Sequence, residues 1–490
     1  MRRVNHLRRP RDRRNTIVPA LEPTTNRPGK WIASAVALAT AVGVGIAPSG
    51  GPVHGDAPLR PEELGPYAVG YEIVENATLS TGDQLVGIWY PADRSRTGQL
   101  PAGERADYGT SVRNFFTGEM VPLDTGIVPG WDSLNTSEIA TVGVRAADDG
   151  DFPVLVYSGG SGDTRDLNYR FFEHLASHGF VVAAGTLEDP FDGLTCAQRF
   201  SDVRTIGQAV LQVSRSGGPD GRLRGFADDE RIGVIGASVG GPDGLNVAVG
   251  SPIAEYFGID PSPLPDVDAA LLLEPAIGEF GEPPFASCPS NLNATSDLPV
   301  MAIGGSQWGD SVNTLGYTAL SNLFADLPAA DRTWVAMRNL SHFSVTTGVC
   351  DVTEAAFRLS AAIGPDPTPA QVPVKEAVDS TALVLTFLDV IAGFQPGTRL
   401  YCDAADYPLT SAQCDSPIIP GATCNLDPKL IASSVADRLI FGYSVAYFKT
   451  YVTGDSRSGT YLGKKSKFDV GDTNSDGELD AIVHRSTARR

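Results

Sequence analysis

The residues best placed to do chemistry stand in Ile232-Gly-Val-Ile-Gly-Ala-Ser-Val-Gly-Gly241. A short apolar run, Ile232–Ile235, feeds straight into Gly236-Ala-Ser-Val-Gly240. That order predicts a strand turning sharply into a helix, with Ser238 at the corner. Backbone at such a corner is strained and crowded. Gly236 and Gly240 remove the side chains that would collide there, and the Ser238 hydroxyl is left standing above the sheet. No other serine in the chain is framed this way. The chemistry this permits is nucleophilic attack, which needs a base for the proton and N–H groups for an oxyanion.

Six histidines are available as the base, and position removes most of them. His6 and His54 lie in or beside an export-like segment, and His484 is near the C-terminus. His174 and His178 are one helical turn apart in His-Leu-Ala-Ser-His, which lacks the glutamate of a zinc-protease helix and reads as a solvated face with a helix-end histidine. His342, in Asn339-Leu-Ser-His-Phe-Ser344, follows the last strand of the pattern and is the expected general base. Two carboxylates compete to orient it. Glu274 closes the apolar run Ala269–Leu273, and Asp310 follows the run Val300–Ile303; both keep the chain order serine, acid, histidine. A carboxylate ending a buried strand needs a partner, which favours Glu274 without removing Asp310. The oxyanion donors expected are the N–H of Val239, next after the nucleophile, and that of Ser161 in the glycine turn Ser158-Gly-Gly-Ser-Gly162. No Gly-Lys-Ser/Thr follows those glycines, so they are not a phosphate cradle.

These groups must be held by a regular scaffold, and the pattern from Tyr67 to Tyr451 supplies one. Eight strand-like runs are predicted: 68–73, 85–90, 152–157, 180–184, 232–235, 269–273, 300–303 and 333–337. Several are continuously apolar, as expected for parallel strands buried on both faces. Helices are expected over 166–178, 201–214, 379–392 and 434–451. The fold class is therefore α/β, a mostly parallel eight-stranded sheet with helices on both faces and its site at the carboxyl ends of the strands. Two stretches interrupt the rhythm: a polar, Gly/Pro-rich excursion at about 93–150, expected to run over the surface, and an insertion at about 350–430 that holds Cys402, Cys414 and Cys424. Loops this long are expected as lids or walls of a binding site.

Composition bounds the setting. The chain of 490 residues carries a net charge of −20, yet its first thirty residues are basic, with Arg2, Arg3, Arg8, Arg9, Arg11, Arg13, Arg14, Arg27 and Lys30 against only Asp12 and Glu22. An uncharged apolar stretch, Trp31 to Ala47, comes next. Residues 1–55 read as a secretory signal or anchor with a linker, and the protein as secreted, periplasmic or held at the cell surface. Taking nine positive and two negative charges from −20 leaves −27 on the body, which repels nucleic acid and anionic membranes. A membrane contact is expected only through an uncleaved N-terminal segment. Six cysteines in an exported chain predict three disulfides.

A tail, 465–490, holds Asp472-Thr-Asn474-Ser-Asp476-Gly-Glu478-Leu-Asp480. Oxygen ligands at alternating positions around a turn-forming glycine suit a hard cation such as calcium, although Val483 replaces the closing glutamate of an EF-hand.

Taken together, these segments resemble the α/β-hydrolase family. More narrowly, they resemble bacterial secreted relatives of platelet-activating-factor acetylhydrolase, often labelled dienelactone-hydrolase-like. The matching pieces are Gly65-Pro-Tyr-Ala-Val-Gly70, Leu85-Val-Gly-Ile-Trp-Tyr-Pro91, Val154 to Gly162, His174 to Val182, the Ser238 turn, His342-Phe-Ser344 and Tyr443 to Phe448. The resemblance covers most of 65–455. It implies a serine hydrolase of carboxylic esters that acts on a small-molecule or lipid ester and needs no cofactor for catalysis. In acetylhydrolase-like members the acid follows the sixth strand, the Glu274 position; in many esterases it follows the seventh, near Asp310. Relatives carry His-Gly where this chain has Gly159-Gly160. A peptidase or other acyl hydrolase on the same fold, and a non-catalytic calcium-dependent surface or adhesion protein, are the alternative readings.

Overall fold

Strict alternation along the strands decides the layering. In β7 (Phe152–Ser158), Leu155 and Tyr157 join one core cluster while Val154 and Val156 join another. Side chains of successive strand residues point to opposite faces, so one continuous apolar run feeds two helical layers. One face carries α1 (Tyr169–Ser177) and the last helix, α5 (Ser433–Tyr451), whose Leu439, Tyr443 and Phe448 are fully buried. The other face carries α2 (Cys196–Ser216) and α3 (Gly240–Val249).

The computed structural model describes residues 60–75, 79, 85–93, 101–114, 117–160, 162–187, 196–249, 264, 267–275, 298–305, 320–321, 324–325, 327, 331–337, 340, 345–380, 433–463 and 481–487. Residues 1–55, the side chains of all six cysteines, and Asp472, Asn474, Asp476, Glu478 and Asp480 lie outside them. Among the described residues, no helix is long and apolar enough to cross a membrane.

All eight expected strands form: β1 (Ala68–Val74), β2 (Val86–Ala92), β7, β8 (Val181–Gly185), β9 (Ala227–Ala237), β10 (Val267–Leu273), β11 (Val300–Gly304) and β12 (Asp331–Met337). Among the described residues the sheet is larger than expected, however, with eleven strands. The additions are β3 (Arg105–Tyr108), β6 (Asn135–Val142) and β13 (Ala481–Thr487), giving the order β13-β12-β11-β10-β9-β7-β8-β2-β1-β6-β3. The pairs from β8 through β7, β9, β10 and β11 to β12 are parallel, as is β1 with β6. Those of β1 with β2, β2 with β8, β3 with β6 and β12 with β13 are antiparallel.

Two expectations change with these additions. The 93–150 excursion is not a surface detour, because β6 pairs with β1 and β3 with β6. A small hairpin, β4 (Ser111–Arg113) with β5 (Met120–Pro122), also lies in it. Val112, Val121 and Leu123 pack with Ala356 and Leu359 of α4 (Val349–Ile363) and with Val374 and Val378, so the two insertions share a satellite core. The tail is not wholly separate either, since its residues 481–487 are β13. The insertion strands escaped the sequence pattern because β3 is only four residues long and β6 is mostly polar and only partly buried.

Candidate active site

Parallel pairing brings the carboxyl ends of β9, β10, β11 and β12 to one margin of the sheet, in register. Ala237 is opposite Leu273, Leu273 is opposite Ile303, and Gly304 is opposite Ala336. Ser238 and Glu274 are thus the first residues beyond two neighbouring strands. The Ser238 N–H donates to the Leu273 carbonyl at 2.9 Å, and the Glu274 N–H repeats the bond one strand along, to Ile303, also at 2.9 Å.

Both residues carry left-handed backbone, with φ of +50° at Ser238 and +41° at Glu274. The only other non-glycine cases among the described residues are Asp151 and Asp220, a residue type that tolerates this region. Serine and glutamate do not favour it, so two adjacent strand ends store strain, a pattern that clusters at functional sites. The expected strained turn is present, and α3 begins two residues after Ser238.

Close backbone approach explains the glycines. A Cβ on Gly240 would fall 2.1 Å from the Ser158 carbonyl oxygen and 2.5 Å from that of Gly159. A Cβ on Gly160 would lie 3.1 Å from the Ser238 Cβ. The loop after β7 therefore rests directly on the Ser238 turn. Val239 is partly exposed beside Ser238. Ser161 lies outside the described residues.

Glu274 is fully buried, and its Oε1 accepts the Gly305 N–H at 2.8 Å. A Cβ on Gly304 would sit 2.7 Å from its Cδ, so glycine there makes room for the carboxylate. The competing acid, Asp310, and the expected base, His342, both lie outside the described residues. The chain on either side of His342 is described. Met337 ends β12 at the same margin, and beyond it Val345, Thr346 and Thr347 are buried.

A buried polar chain ties that later segment to the loop after β7. The Thr347 N–H donates to Asn168 Oδ1 at 2.8 Å, and Asn168 Nδ2 donates to the Tyr157 hydroxyl at 2.5 Å. Tyr157 in turn donates to Asp163 Oδ2 at 2.7 Å, and the Gly160 N–H donates to the same oxygen at 2.8 Å. Burial, and then the Asp163 charge, push the Tyr157 phenol well above its ordinary range and keep it a donor. From the opposite side, Arg199 Nη2 donates to the Gly159 carbonyl at 2.8 Å while its Nε pairs with Asp243 Oδ2 at 2.5 Å. Burial pushes the Asp243 carboxyl up, with Arg199 pulling against it. None of Tyr157, Asp163, Asn168, Arg199 and Asp243 was singled out from sequence. The one signal available was a charged residue, Asp243, in an otherwise apolar and glycine-rich helix that has to pack beneath a sheet.

His174 and His178 do not lie on a solvated face, contrary to the sequence reading. Both are buried. Nε2 of His174 bonds the Pro61 carbonyl at 2.7 Å and Nε2 of His178 bonds that of Glu63 at 2.8 Å, so the segment before β1 covers them. Burial lowers His174 to about 4. Burial, and then its neighbour His174, lower His178 to about 3. A groove of about 720 Å³ beside this face, lined by residues of β6, α1, α4 and α5, does not include Ser238. Among the described residues no group of histidine, cysteine and carboxylate side chains is arranged to hold a metal.

No curated protein matches the chain. A family model does: residues 56–199 match platelet-activating factor acetylhydrolase, isoform II. The matched stretch runs from the segment ahead of β1, through the loop after β7, to Arg199. It points to hydrolysis of ester bonds. With a mostly parallel sheet, helices on both faces and a strained serine turn at its carboxyl margin, the chain has the α/β-hydrolase fold, and over residues 56–199 it is similar to the platelet-activating factor acetylhydrolase family.

Proposed function

We propose that this protein is an exported serine hydrolase of carboxylic esters. Ser238 attacks the ester carbonyl while His342 takes its proton, and Glu274 holds the imidazolium that forms. The N–H groups of Val239 and Ser161 receive the oxyanion, and His342 returns the proton to the leaving alcohol. Water, deprotonated by the same imidazole, then releases the acyl group from Ser238. The reaction draws only on the chain's own groups. Its substrate is a small-molecule or lipid ester, in keeping with the name of the matched family.

The observation that carries this reading is the pair of left-handed residues, Ser238 and Glu274, closing adjacent parallel strands beneath a glycine loop. Strain of this kind at a buried carboxylate has no packing benefit of its own. Glu274 is preferred to Asp310 because its carboxylate is already held at the correct margin by the Gly305 amide.

A fluorophosphonate probe tests the proposal. Covalent labelling of the folded protein, abolished in Ser238→Ala, is expected together with hydrolysis of p-nitrophenyl esters. Turnover in Ser238→Ala should fall by about 10⁴-fold or more. Faster cleavage of an anilide than of its matched ester would turn the reading toward a peptidase. A folded wild type that neither labels nor hydrolyses would turn it toward a non-catalytic surface protein.

A further inference from the structure

The Gly159 carbonyl and the Gly160 N–H are the two ends of a single peptide group. Each end is held by a buried side chain from a different part of the fold. Arg199, in the first turn of α2, donates to the oxygen at 2.8 Å; Asp163 accepts from the nitrogen at 2.8 Å. A peptide is planar, so two bonds at opposite ends fix its rotation about the chain axis. Arg199 is in turn held through its Nε by Asp243, which stands on α3 five residues beyond Ser238. Both side chains of that pair are shielded from water, at 1% and 0% exposure. The guanidinium thus spans the nucleophile helix and the loop above it with two separate N–H groups. A lysine ammonium has no such fork.

We infer that Arg199 and Asp243 are positioning residues for oxyanion binding: they set the Gly159–Gly160 peptide, which lies against the Ser238 turn, at a fixed offset from Ser238. This rests on the esterase reading above. The pairing has a cost that packing alone does not explain, because a buried ion pair is often no more stabilising than apolar residues of similar volume. Asp243 Oδ1 also has no hydrogen-bond partner among the described residues, so the pair is not arranged for maximal stability. What it provides is a rigid link between the helix that follows Ser238 and the Gly159–Gly160 peptide.

The test compares a p-nitrophenyl ester with its thiono counterpart, in which sulfur replaces the carbonyl oxygen and fits an oxyanion site poorly. Two variants are used. Arg199→Lys keeps a positive charge beside Asp243 but loses the fork. Arg199→Met/Asp243→Leu removes both charges, so that no unpaired charge is left buried. Each is first shown to be folded by its melting transition. With the loop displaced by a fraction of an ångström, kcat for the oxygen ester should fall about 100-fold in the double variant, with KM little changed. The preference for oxygen over sulfur should fall by about tenfold or more, since the lost interaction is made only to the developing oxyanion. A preference held at the wild-type value in both variants, whether the rates drop in parallel or not at all, overturns the inference and leaves a structural pair. If Ser238→Ala kept wild-type esterase activity, the nucleophile reading would fall and take the positioning role with it. An inactive Ser238→Ala beside an unmoved preference would overturn the positioning role alone.

Discussion

The margin that holds Ser238 and the face that holds α1 both bury ionisable groups, yet they are built on different principles. On the α1 face, His174 and His178 each bond a backbone carbonyl, and Glu173 accepts the hydroxyls of Tyr108 at 2.8 Å and Ser137 at 2.5 Å. Burial lifts Glu173 to about 7, against the pull of those two hydroxyls. Every residue of that helix has ordinary helical backbone, with no positive φ. At the Ser238 margin the charges are similarly buried, but two side chains stand on left-handed backbone and neighbouring loops approach too closely for any Cβ. A perturbed pKa therefore does not by itself mark a reactive site. Strain combined with close backbone approach separates the two regions.

The largest expected effect lies in the acid. Glu274→Gln removes the acceptor that orients the base and should lower kcat by about 10⁴-fold, while leaving the melting temperature near wild type. Asp310→Asn should stay close to wild-type activity in the same assay. The reverse result would move the acid to Asp310 and reduce Glu274 to a structural group.

Next comes the glycine that permits the approach. Gly240→Ala places a methyl 2.1 Å from a backbone oxygen that cannot step aside. It should cost about 3 kcal/mol or more by chemical denaturation, and abolish activity besides. Gly364→Ala is the control. Its φ is +78°, but nothing lies within 4 Å of the added atom, so only the conformational cost, about 1 kcal/mol, is expected.

The α1 face should reveal itself through pH rather than through catalysis. His174 and His178 titrate in the fold at about 4 and about 3, below the ordinary 6.5. As pH falls through 6.5 the unfolded chain takes up protons that the fold refuses. The stability these rings contribute is thus complete above that point and drains away toward the lower values. Near pH 5.5 the two rings together should give a slope of about two protons, or roughly 2.7 kcal/mol per pH unit. His174→Gln/His178→Gln should remove that component from denaturation midpoints measured across pH 4 to 7. The smallest effect has the opposite sign. Glu173 titrates at about 7 rather than 4.5, so its contribution is complete at low pH and is lost as pH rises through the interval. Glu173→Gln should steepen the wild-type slope by about one proton. Neither α1 variant should alter the preference of the site for oxygen over thiono esters.

The same contrast explains what could be read from sequence. The eight inner strands were legible because runs such as Leu271–Leu273 and Val154–Val156 are apolar without a break. The three added strands were not: β3 has only four residues, β6 is mostly polar and alternates irregularly, and β13 carries His484 and Arg485. Ser238 was legible because the glycines around it record a steric demand in the chain itself. Glu274 was readable as a carboxylate closing an apolar strand. The Arg199–Asp243 hold on the Gly159–Gly160 peptide was invisible, because the two side chains are 44 positions apart and meet only once α2 and α3 are packed on one face. The histidines were misread for a related reason. Their own helix looks amphipathic, and nothing in it announces that Pro61 and Glu63 will return to cover it.

The C-terminal strand has a consequence for how this protein meets others of its kind. An outermost strand offers unsatisfied amides and carbonyls to any passing chain, and folds blunt that hazard with short, charged or covered borders. The β3 border has four residues, with Arg105 and Asp107 among them. At the opposite border β12 carries Trp334 and Val335, both buried, and β13 shields it along seven paired positions. Cutting the chain after residue 463 would uncover that ladder. The shortened protein should then self-associate with rising concentration, as light scattering would show, while the full chain stays dispersed.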